Sequence, residues 1–153
     1  MTTSEIALGA DDAGLPLKEI IRQYLEEQGI PYRDYTPVSF EGIDYPDVAV
    51  TVAHAVARGE HTRGILFCGT GIGMAITANK VPGVYAAQAH DTYSAERARK
   101  SNNAQILTMG ARVVGPELAK SIVRAWLNSE FSGGPSAGKV AKIEHIEKVE
   151  KAG

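Results

Sequence analysis

The sequence has a single cysteine, Cys68, so an internal disulfide bond is excluded. It has no apolar run close to the roughly 20 residues that cross a bilayer, and its first five residues lack the basic and apolar segments of a signal peptide. No spacing of cysteine and histidine resembles a zinc site, so no metal is predicted. The net charge of −2 at pH 7 gives no basic surface for nucleic acid or an anionic membrane. These absences predict a soluble, cytoplasmic protein that binds neither nucleic acid nor a membrane.

The composition and the length are those of one globular domain covering residues 1–153. Hydrophobic residues make up 44% of the chain and charged residues 22%. Segments with apolar residues at helical spacing alternate with short apolar segments that predict strands. The last helical segment, at about 139–151, carries an apolar stripe that we expect to pack on the body of the protein, with docking on a second subunit as the alternative. The predicted strands are residues 6–9, 32–35, 64–68, 84–89 and 106–109.

This alternation predicts an α/β protein with a three-layer, doubly wound fold and a five-stranded parallel sheet. We expect the common strand order 2-1-3-4-5, in which strands one and three are neighbours. Ligands of such sheets bind beyond the carboxyl ends of the strands, where the strand order reverses. Asp11 and Asp12 follow strand one, and residues 68–73 follow strand three. The sequence therefore predicts a binding crevice between these two loops.

A glycine-rich turn, Gly69-Thr70-Gly71-Ile72-Gly73, joins the third strand to a helix. Successive backbone N–H groups in such a turn face an anion, and the helix dipole reinforces them. The turn is not a dinucleotide fingerprint because Met74 stands where the third glycine is needed. It is not a nucleoside-triphosphate loop either, because Gly-Lys-Ser/Thr is absent. The remaining alternatives are an anion-binding turn and a tight turn that needs glycine only for backbone reasons.

Cys68 ends the third strand directly before this turn, where a helix N-terminus favours the thiolate. A lone cysteine is otherwise most often a small buried hydrophobe. With the adjacent N–H groups and the hydroxyl of Thr70, the better interpretation is a general base. A thiolate beside N–H donors suits removal of a proton next to a carbonyl, since the resulting enediolate needs such donors.

Asp11 and Asp12 have three open interpretations: contacts to sugar hydroxyls, a metal site, or a cap for the following helix. Paired aspartates after a first strand also occur in phosphoacceptor receiver domains. Those domains need an aspartate at the end of strand three and a lysine at the end of strand five. Cys68 and Met109 occupy these places, so the receiver interpretation is excluded.

One of the four histidines, His90, ends the fourth predicted strand at the same rim of the sheet and is a candidate site residue. His54, His61 and His145 lie in stretches whose pattern indicates exposed helix or turn, and they are assigned no role.

Several segments together resemble the ribose-5-phosphate isomerase B family, which also contains the galactose-6-phosphate isomerase subunits. The resemblance covers essentially the whole chain, and the Cys-Gly-Thr-Gly-Ile-Gly segment is its most specific part. The segments are Asp11-Asp12-Ala13-Gly14, Asp44-Tyr45-Pro46, residues 64–73, Ala78-Asn79-Lys80, His90-Asp91-Thr92-Tyr93-Ser94 and Gly110-Ala111-Arg112-Val113-Val114-Gly115.

The resemblance implies a cofactor-free aldose–ketose isomerase of a small phosphorylated sugar, with a Rossmann-like, flavodoxin-like fold. The reaction would be proton transfer through a cis-enediolate, of the ribose 5-phosphate/ribulose 5-phosphate type. It also implies a homodimer, or a dimer of dimers, whose active sites draw on both subunits. Cys68 would be the general base and Thr70 would pass protons between the oxygens. Together with His90, the implied substrate-binding residues are Asp11, Asp12, Tyr45, Gly69, Gly71, Ile72, Gly73, Ser101, Asn102, Arg112 and Lys139.

The chain departs from the family pattern at the residues expected to open the sugar ring and to hold the phosphate. Ser101 stands where the family has a ring-opening histidine, and Asp12 also replaces a histidine. Pro135 and Lys139 replace two phosphate-binding arginines, so only a point charge remains there. A tetrose 4-phosphate cannot close a five-membered ring and needs no ring-opening acid, which makes erythrulose 4-phosphate/erythrose 4-phosphate the alternative substrate pair. A non-catalytic sugar-phosphate-binding module is the second alternative.

Overall fold

The computed structural model describes residues 5–152, which form five parallel strands and six α-helices in alternation. The sheet order is β2-β1-β3-β5-β4, which confirms the predicted α/β class. A short 3₁₀ turn at Gly134–Ser136 precedes the last helix. The elements are β1 (Ile6–Ala10), α1 (Leu15–Glu27), β2 (Tyr32–Asp34), α2 (Tyr45–Ala57), β3 (Gly64–Cys68), α3 (Ile72–Ala78), β4 (Ala86–Gln88), α4 (Thr92–Lys100), β5 (Ile106–Gly110), α5 (Pro116–Leu127) and α6 (Ala137–Ala152).

The expected strand order is wrong in its last two positions, because β5 and not β4 lies beside β3. All five residues of β5 are buried, as an interior strand covered on both faces requires. β4 has only three residues, which are half-buried or exposed, and this suits the sheet edge. The two strands could not be ranked from their local patterns, since both were predicted from similar apolar runs.

Helices cover both faces of the sheet and place the reversal of strand order between β1 and β3. Apolar residues of α1, α4 and α5 pack on one face, and those of α2 and α3 pack on the other. The chain leaves β1 toward the first face and leaves β3 toward the second. The loops after these two strands therefore diverge, which leaves the predicted crevice between them.

The last helix, α6, lies over the amino-terminal side of the sheet with little contact to it. Val140 is buried, but Ile143, Ile146 and Val149 are exposed. The carboxylate of Glu147 accepts a hydrogen bond from the N–H of Gly83 at 3.1 Å. The expectation that the whole apolar stripe packs on the body is therefore wrong for all but its first residue.

His61 departs from its predicted exposure, since only 2% of it is accessible. Its Nε2 lies 2.7 Å from the hydroxyl of Tyr35, and its Nδ1 lies 2.8 Å from the carbonyl oxygen of Glu5. The residue thus joins two segments of the chain and takes no part in the site. No helix within residues 5–152 combines the length and apolar character needed to cross a membrane.

Candidate active site

The carboxyl ends of β1, β3 and β5 form the floor of the crevice. Asp11 follows β1 directly, and Cys68 is the last residue of β3. Cys68 pairs in register with Gly110, the last residue of β5. Because β5 neighbours β3, the segment that follows it, including Arg112, also lies at the crevice. The predicted strand order would have brought the end of β4 there instead.

The side chain of Cys68 lies between an apolar cluster and the glycine-rich turn. It is a free thiol with 5% of its surface accessible, and it packs in the cluster that contains Met74. Its Sγ accepts a hydrogen bond from the N–H of Gly71 at 3.1 Å. The sulfur is therefore held by a backbone donor that would stabilise negative charge on it.

Close packing requires glycine at Gly71 in the turn and at Gly110, the last residue of β5. Gly71 has φ = +81°, and a Cβ there would lie 2.9 Å from the backbone nitrogen of Met109. A Cβ at Gly110 would lie 2.5 Å from the Cα of Thr70. These two glycines thus have a steric requirement, and the same packing aims the backbone groups of the turn.

Gln88 and Thr108, which the sequence analysis did not predict as site residues, donate hydrogen bonds to carbonyl oxygens of this turn. The side-chain amide of Gln88 donates to the carbonyl oxygen of Thr70 at 2.7 Å. The hydroxyl of Thr108 donates to the carbonyl oxygen of Gly71 at 2.8 Å. Within residues 5–152, the N–H groups of Gly69 and Thr70 have no acceptor. Thr108, a lone hydroxyl in an apolar strand, was the signal available in the sequence.

Asp11 is buried beside the thiol strand and also bonds the turn that leads into α1. Its Oδ1 accepts from the N–H of Gly14 at 2.8 Å. This bond closes the turn before α1, whose N-cap is Gly14 without a side-chain cap hydrogen bond, so the helix-cap interpretation is wrong for Asp11. Its side chain is 8% exposed, and burial together with the charge of Asp12 raises its pKa. Asp12 itself is exposed. A carboxyl group with a raised pKa suits proton exchange with a substrate oxygen.

Tyr45 and Arg112 form two walls above the glycines. The ring of Tyr45 packs on Gly73, where an added Cβ would lie 2.2 Å from Cε1. The guanidinium group of Arg112 lies over Gly69, where an added Cβ would lie 2.9 Å from one of its terminal nitrogens. Both side chains are exposed on their outer sides and so face the open crevice. A cation in this position suits an anionic substrate.

His90 reaches the rim of the site but is engaged by the backbone of β5. Its Nε2 accepts a hydrogen bond from the N–H of Gly110 at 2.9 Å, which places its proton on Nδ1. Burial lowers the pKa of His90, and the charge of Asp91 opposes this effect only in part. His90 is therefore neutral at pH 7 and fastens the end of β4 to that of β5.

Three of the predicted residues lie near the amino-terminal ends of the strands, whereas Cys68 lies at the carboxyl end of β3. They are Ser101, Asn102 and Lys139. Helix α4 starts beyond the carboxyl end of β4 and runs back for nine residues, about 14 Å, before it reaches Ser101. Oγ of Ser101 accepts a hydrogen bond there from Nε of Arg97 at 2.8 Å. Lys139 is exposed on the first turns of α6. One copy of the chain thus does not bring these three residues together with the crevice.

The remaining predicted residues do converge. Asp11, Asp12, Tyr45, His90, Arg112 and residues 68–73 surround the carboxyl ends of β1, β3 and β5. A thiol, a carboxyl group of raised pKa, backbone N–H donors and a cation then lie around one crevice. This combination suits removal and return of a proton next to a carbonyl in a small anionic substrate.

Comparison with known proteins selects one group of enzymes. The sequence profile of the Ribose/Galactose Isomerase family matches residues 6–143. The D-erythrulose-4-phosphate isomerase of Pectobacterium atrosepticum is 60% identical over 147 residues, which cover 95% of this chain and 97% of that protein. The Ribose-5-P isomerase B of Listeria innocua is 52% identical, with 94% and 97% covered. The structure of Clostridium thermocellum ribose-5-phosphate isomerase B matches with a TM-score of 0.91 at 46% identity, covering 95% of this chain and 99% of that one.

Proposed function

The chain belongs to the ribose/galactose isomerase family, and from this premise we propose that it interconverts a small aldose phosphate and ketose phosphate by moving a proton between adjacent carbons. The observation that carries this proposal is the sulfur of Cys68, which lies at the crevice with its Sγ 3.1 Å from the N–H of Gly71. A thiolate at this position can act as the general base that removes a proton from a carbon next to a carbonyl.

The proposed reaction has two proton transfers on carbon. The Cys68 thiolate takes the proton from the carbon next to the substrate carbonyl, and the electron pair of that bond forms a cis-enediolate. The thiol then returns the proton to the neighbouring carbon. The hydroxyl of Thr70 moves the second proton between the two oxygens. The N–H groups of Gly71 and Ile72 bond Sγ of Cys68 and Oγ1 of Thr70. The backbone N–H groups of Gly69 and Thr70 therefore stabilise the negative oxygen, and each such donor is worth about 3 kcal/mol in comparable sites.

Two observations favour D-erythrulose 4-phosphate over ribose 5-phosphate as the substrate. Ser101 lacks an ionisable side chain where the family has a ring-opening histidine, so it does not serve as that acid; its Oγ accepts a hydrogen bond from Nε of Arg97 at 2.8 Å. A tetrose 4-phosphate needs no such acid, because its terminal oxygen is esterified. The relative from Pectobacterium, at 60% identity, is named as an isomerase of that substrate. The Listeria relative, named for ribose 5-phosphate, makes the pentose the second candidate.

A homodimer with shared active sites accounts for the separation of Ser101, Asn102 and Lys139 from the crevice. A two-fold arrangement can place the amino-terminal edge of one copy over the carboxyl-terminal edge of the other. The exposed residues Ile143 and Ile146 give α6 an apolar surface for such a contact. Asn102 and Lys139 would then bind the substrate held by the partner's crevice. The unpaired cysteine fits a reducing compartment, so we place the protein in the cytoplasm.

A panel of four-, five- and six-carbon sugar phosphates in heavy water, followed by NMR, tests this function. We expect interconversion without added metal, the highest kcat/KM for the tetrose pair, and deuterium uptake at the carbon that receives the proton. Faster turnover of ribose 5-phosphate would reject the tetrose substrate. Failure of every phosphate to exchange, together with tight binding that Cys68→Ala retains, would identify a binding module instead.

A further inference from the structure

A single peptide unit joins Gln88 to the thiol of Cys68. The unit between Thr70 and Gly71 has its carbonyl oxygen 2.7 Å from Nε2 of Gln88 and its N–H nitrogen 3.1 Å from Sγ of Cys68. In a planar trans peptide the C=O and N–H bonds point in opposite directions. The bond from Gln88 therefore sets the direction in which the N–H of Gly71 points, namely toward the sulfur.

The next peptide unit is held in the same way by Thr108. The carbonyl oxygen of Gly71 accepts from the hydroxyl of Thr108 at 2.8 Å, and the N–H of Ile72 lies 3.2 Å from Oγ1 of Thr70. The first turn of α3 also supplies this carbonyl with a longer bond, from the N–H of Ala75 at 3.2 Å. Thr108 is fully buried beneath the turn, and its hydroxyl is the shorter donor.

We propose that Gln88 and Thr108 are positioning residues of the isomerase: each holds a carbonyl on the sheet side of the turn and so aims the opposite N–H at Cys68 or at Thr70. This inference rests on the proposed function, because it assigns to both side chains an effect on the proton-transferring sulfur and on the hydroxyl that moves the second proton. Neither side chain touches the sulfur itself.

Packing alone does not explain Gln88. Its side chain is exposed at the edge of the sheet and contributes nothing to either apolar cluster. A glycine-rich turn has several accessible backbone conformations, and a hydrogen bond of 2.7 Å selects one of them. An exposed glutamine that fixes one peptide of a reactive turn therefore has a functional consequence larger than its structural one.

The test compares Gln88→Met and Thr108→Val with Gln105→Met. The first two variants keep the side-chain volume and remove only the donor. Gln105 lies at the amino end of β5, away from the turn. Its side chain accepts a hydrogen bond from the N–H of Tyr85 and donates one to the carbonyl oxygen of Gly83, so its replacement measures a purely structural effect. The charged and titratable groups around the crevice of Cys68 are Asp11, Asp12, Tyr45, His90 and Arg112, and all variants leave them unchanged.

We measure the pH dependence of alkylation of Cys68 by iodoacetamide, together with kcat and KM. In Gln88→Met the midpoint of alkylation should move to higher pH and kcat should fall about tenfold, with KM nearly unchanged, since the donor remains but is less well aimed. Thr108→Val should lower kcat by a similar factor with a smaller movement of the midpoint. Gln105→Met should leave the midpoint in place even if thermal stability falls.

An unchanged alkylation midpoint and kcat in Gln88→Met would overturn the inference for Gln88, and an unchanged kcat in folded Thr108→Val would overturn it for Thr108. Both results leave the isomerase function intact if the wild type still exchanges substrate hydrogen with solvent. Conversely, a wild type that catalyses no such exchange rejects the function whatever the alkylation midpoints show. The two failures are therefore distinguishable.

Discussion

The sulfur of Cys68 lies where an apolar core ends and a row of backbone donors begins. Packing against the cluster that contains Met74 limits its freedom, while the N–H of Gly71 at 3.1 Å supplies the polar partner that a thiolate needs. The position thus combines restricted access with a defined direction for proton transfer.

Replacement of this sulfur gives the first prediction. Cys68→Ser keeps an acceptor for the Gly71 N–H but offers a far weaker base, so kcat should fall by about 10³-fold or more. Thermal unfolding should remain within a few degrees of the wild type, because the shape of the side chain is preserved. Steady-state kinetics and calorimetry measure the two effects. Activity near the wild-type level in this variant would exclude Cys68 as the base.

Asp11 gives a prediction in which stability and activity change in opposite directions. Burial and Asp12 raise the pKa of Asp11 above its ordinary value of 3.8, so the folded state holds this proton more tightly than the unfolded chain. The free energy of unfolding therefore decreases as the pH rises from 3.8 through the raised pKa. Asp11→Asn keeps the acceptor for Gly14 and removes the buried charge.

We expect Asp11→Asn to be more stable than the wild type at pH 7, because the buried charge is removed, and to have lower kcat/KM. Denaturation at pH 7 and at pH 3 checks the sign, since the difference should shrink at the lower pH. Asp12→Asn is the matched control, because that residue is exposed. A loss of stability in Asp11→Asn at pH 7 would contradict the prediction.

Substitution of Gly69 changes the position of the Arg112 side chain while leaving its charge in place. An added Cβ would lie 2.9 Å from the end of a flexible guanidinium, so the side chain can move away at little cost to folding. Gly69→Ala should therefore raise KM about tenfold, or about 1.4 kcal/mol of binding, while thermal stability stays nearly constant. Arg112→Gln should raise KM at least as much. An unchanged KM in both variants would remove Arg112 from the binding site.

At the scale of elements, the end of β4 is fastened to β5 through His90, and this contact depends on pH. The lowered pKa of His90 means that the unfolded chain takes up a proton first as the pH falls below 6.5. The free energy of unfolding should therefore decrease from pH 6.5 downward through the pKa of the folded state. Protonation also removes the acceptor for the N–H of Gly110.

His90→Gln should consequently lose less stability between pH 7 and pH 5 than the wild type does. Urea unfolding at the two pH values measures the difference, and the exposed His54→Gln serves as the matched control. An identical pH dependence in wild type and His90→Gln would show that this contact carries no proton-linked stability.

The elements also show which features a sequence predicts and which it does not. The end of β3 at Cys68 was predicted correctly, because strand burial is a local signal. The turn was predicted to run to Gly73, but α3 already begins at Ile72 and takes in its last two residues. The order of β4 and β5 depends on how each strand meets β3, and no local pattern encodes that choice. Gln88 escaped notice because its partner, the carbonyl of Thr70, is 18 residues away and has no side-chain signature.

At the scale of the whole molecule, the residues of the candidate site lie at opposite ends of the parallel strands. Cys68 and Asp11 lie at the carboxyl ends, whereas Asn102 lies near the amino ends, beyond the nine residues of α4. The family resemblance implied that Cys68, Asp11 and Asn102 belong to one site, because a sequence does not reveal which residues must come from another copy of the chain. In the proposed dimer, Asn102 of one copy would reach the crevice of the other.

Mixing two inactive variants tests this arrangement. Cys68→Ala and Asn102→Ala should each be nearly inactive alone, but a mixed dimer contains one site with both native residues. Refolding the two together at equal concentration should restore roughly a quarter of the wild-type activity, because half of the dimers are mixed and one of their two sites is intact. Each variant refolded alone is the control.

Absence of recovery, with both variants shown to form mixed dimers by mass spectrometry, would place Asn102 and Cys68 in the same chain's site or outside it. In a separate variant, Ile146→Glu places a charge in the exposed stripe of α6 and should shift the oligomer toward monomer with loss of activity. Size-exclusion chromatography with light scattering measures that shift.

The free edge of β4 influences how copies of the chain can associate. Asn79 binds both backbone groups of Ala86 from outside, with its Nδ2 2.8 Å from the carbonyl oxygen and its Oδ1 2.8 Å from the N–H nitrogen. Ala86 is one of only three residues in this strand, so a strand from another molecule would find its backbone hydrogen-bonding groups already occupied. Pairing of β4 with a strand of another copy is therefore disfavoured. Copies of the chain would then associate through helices, which favours an oligomer of fixed size over an extended sheet.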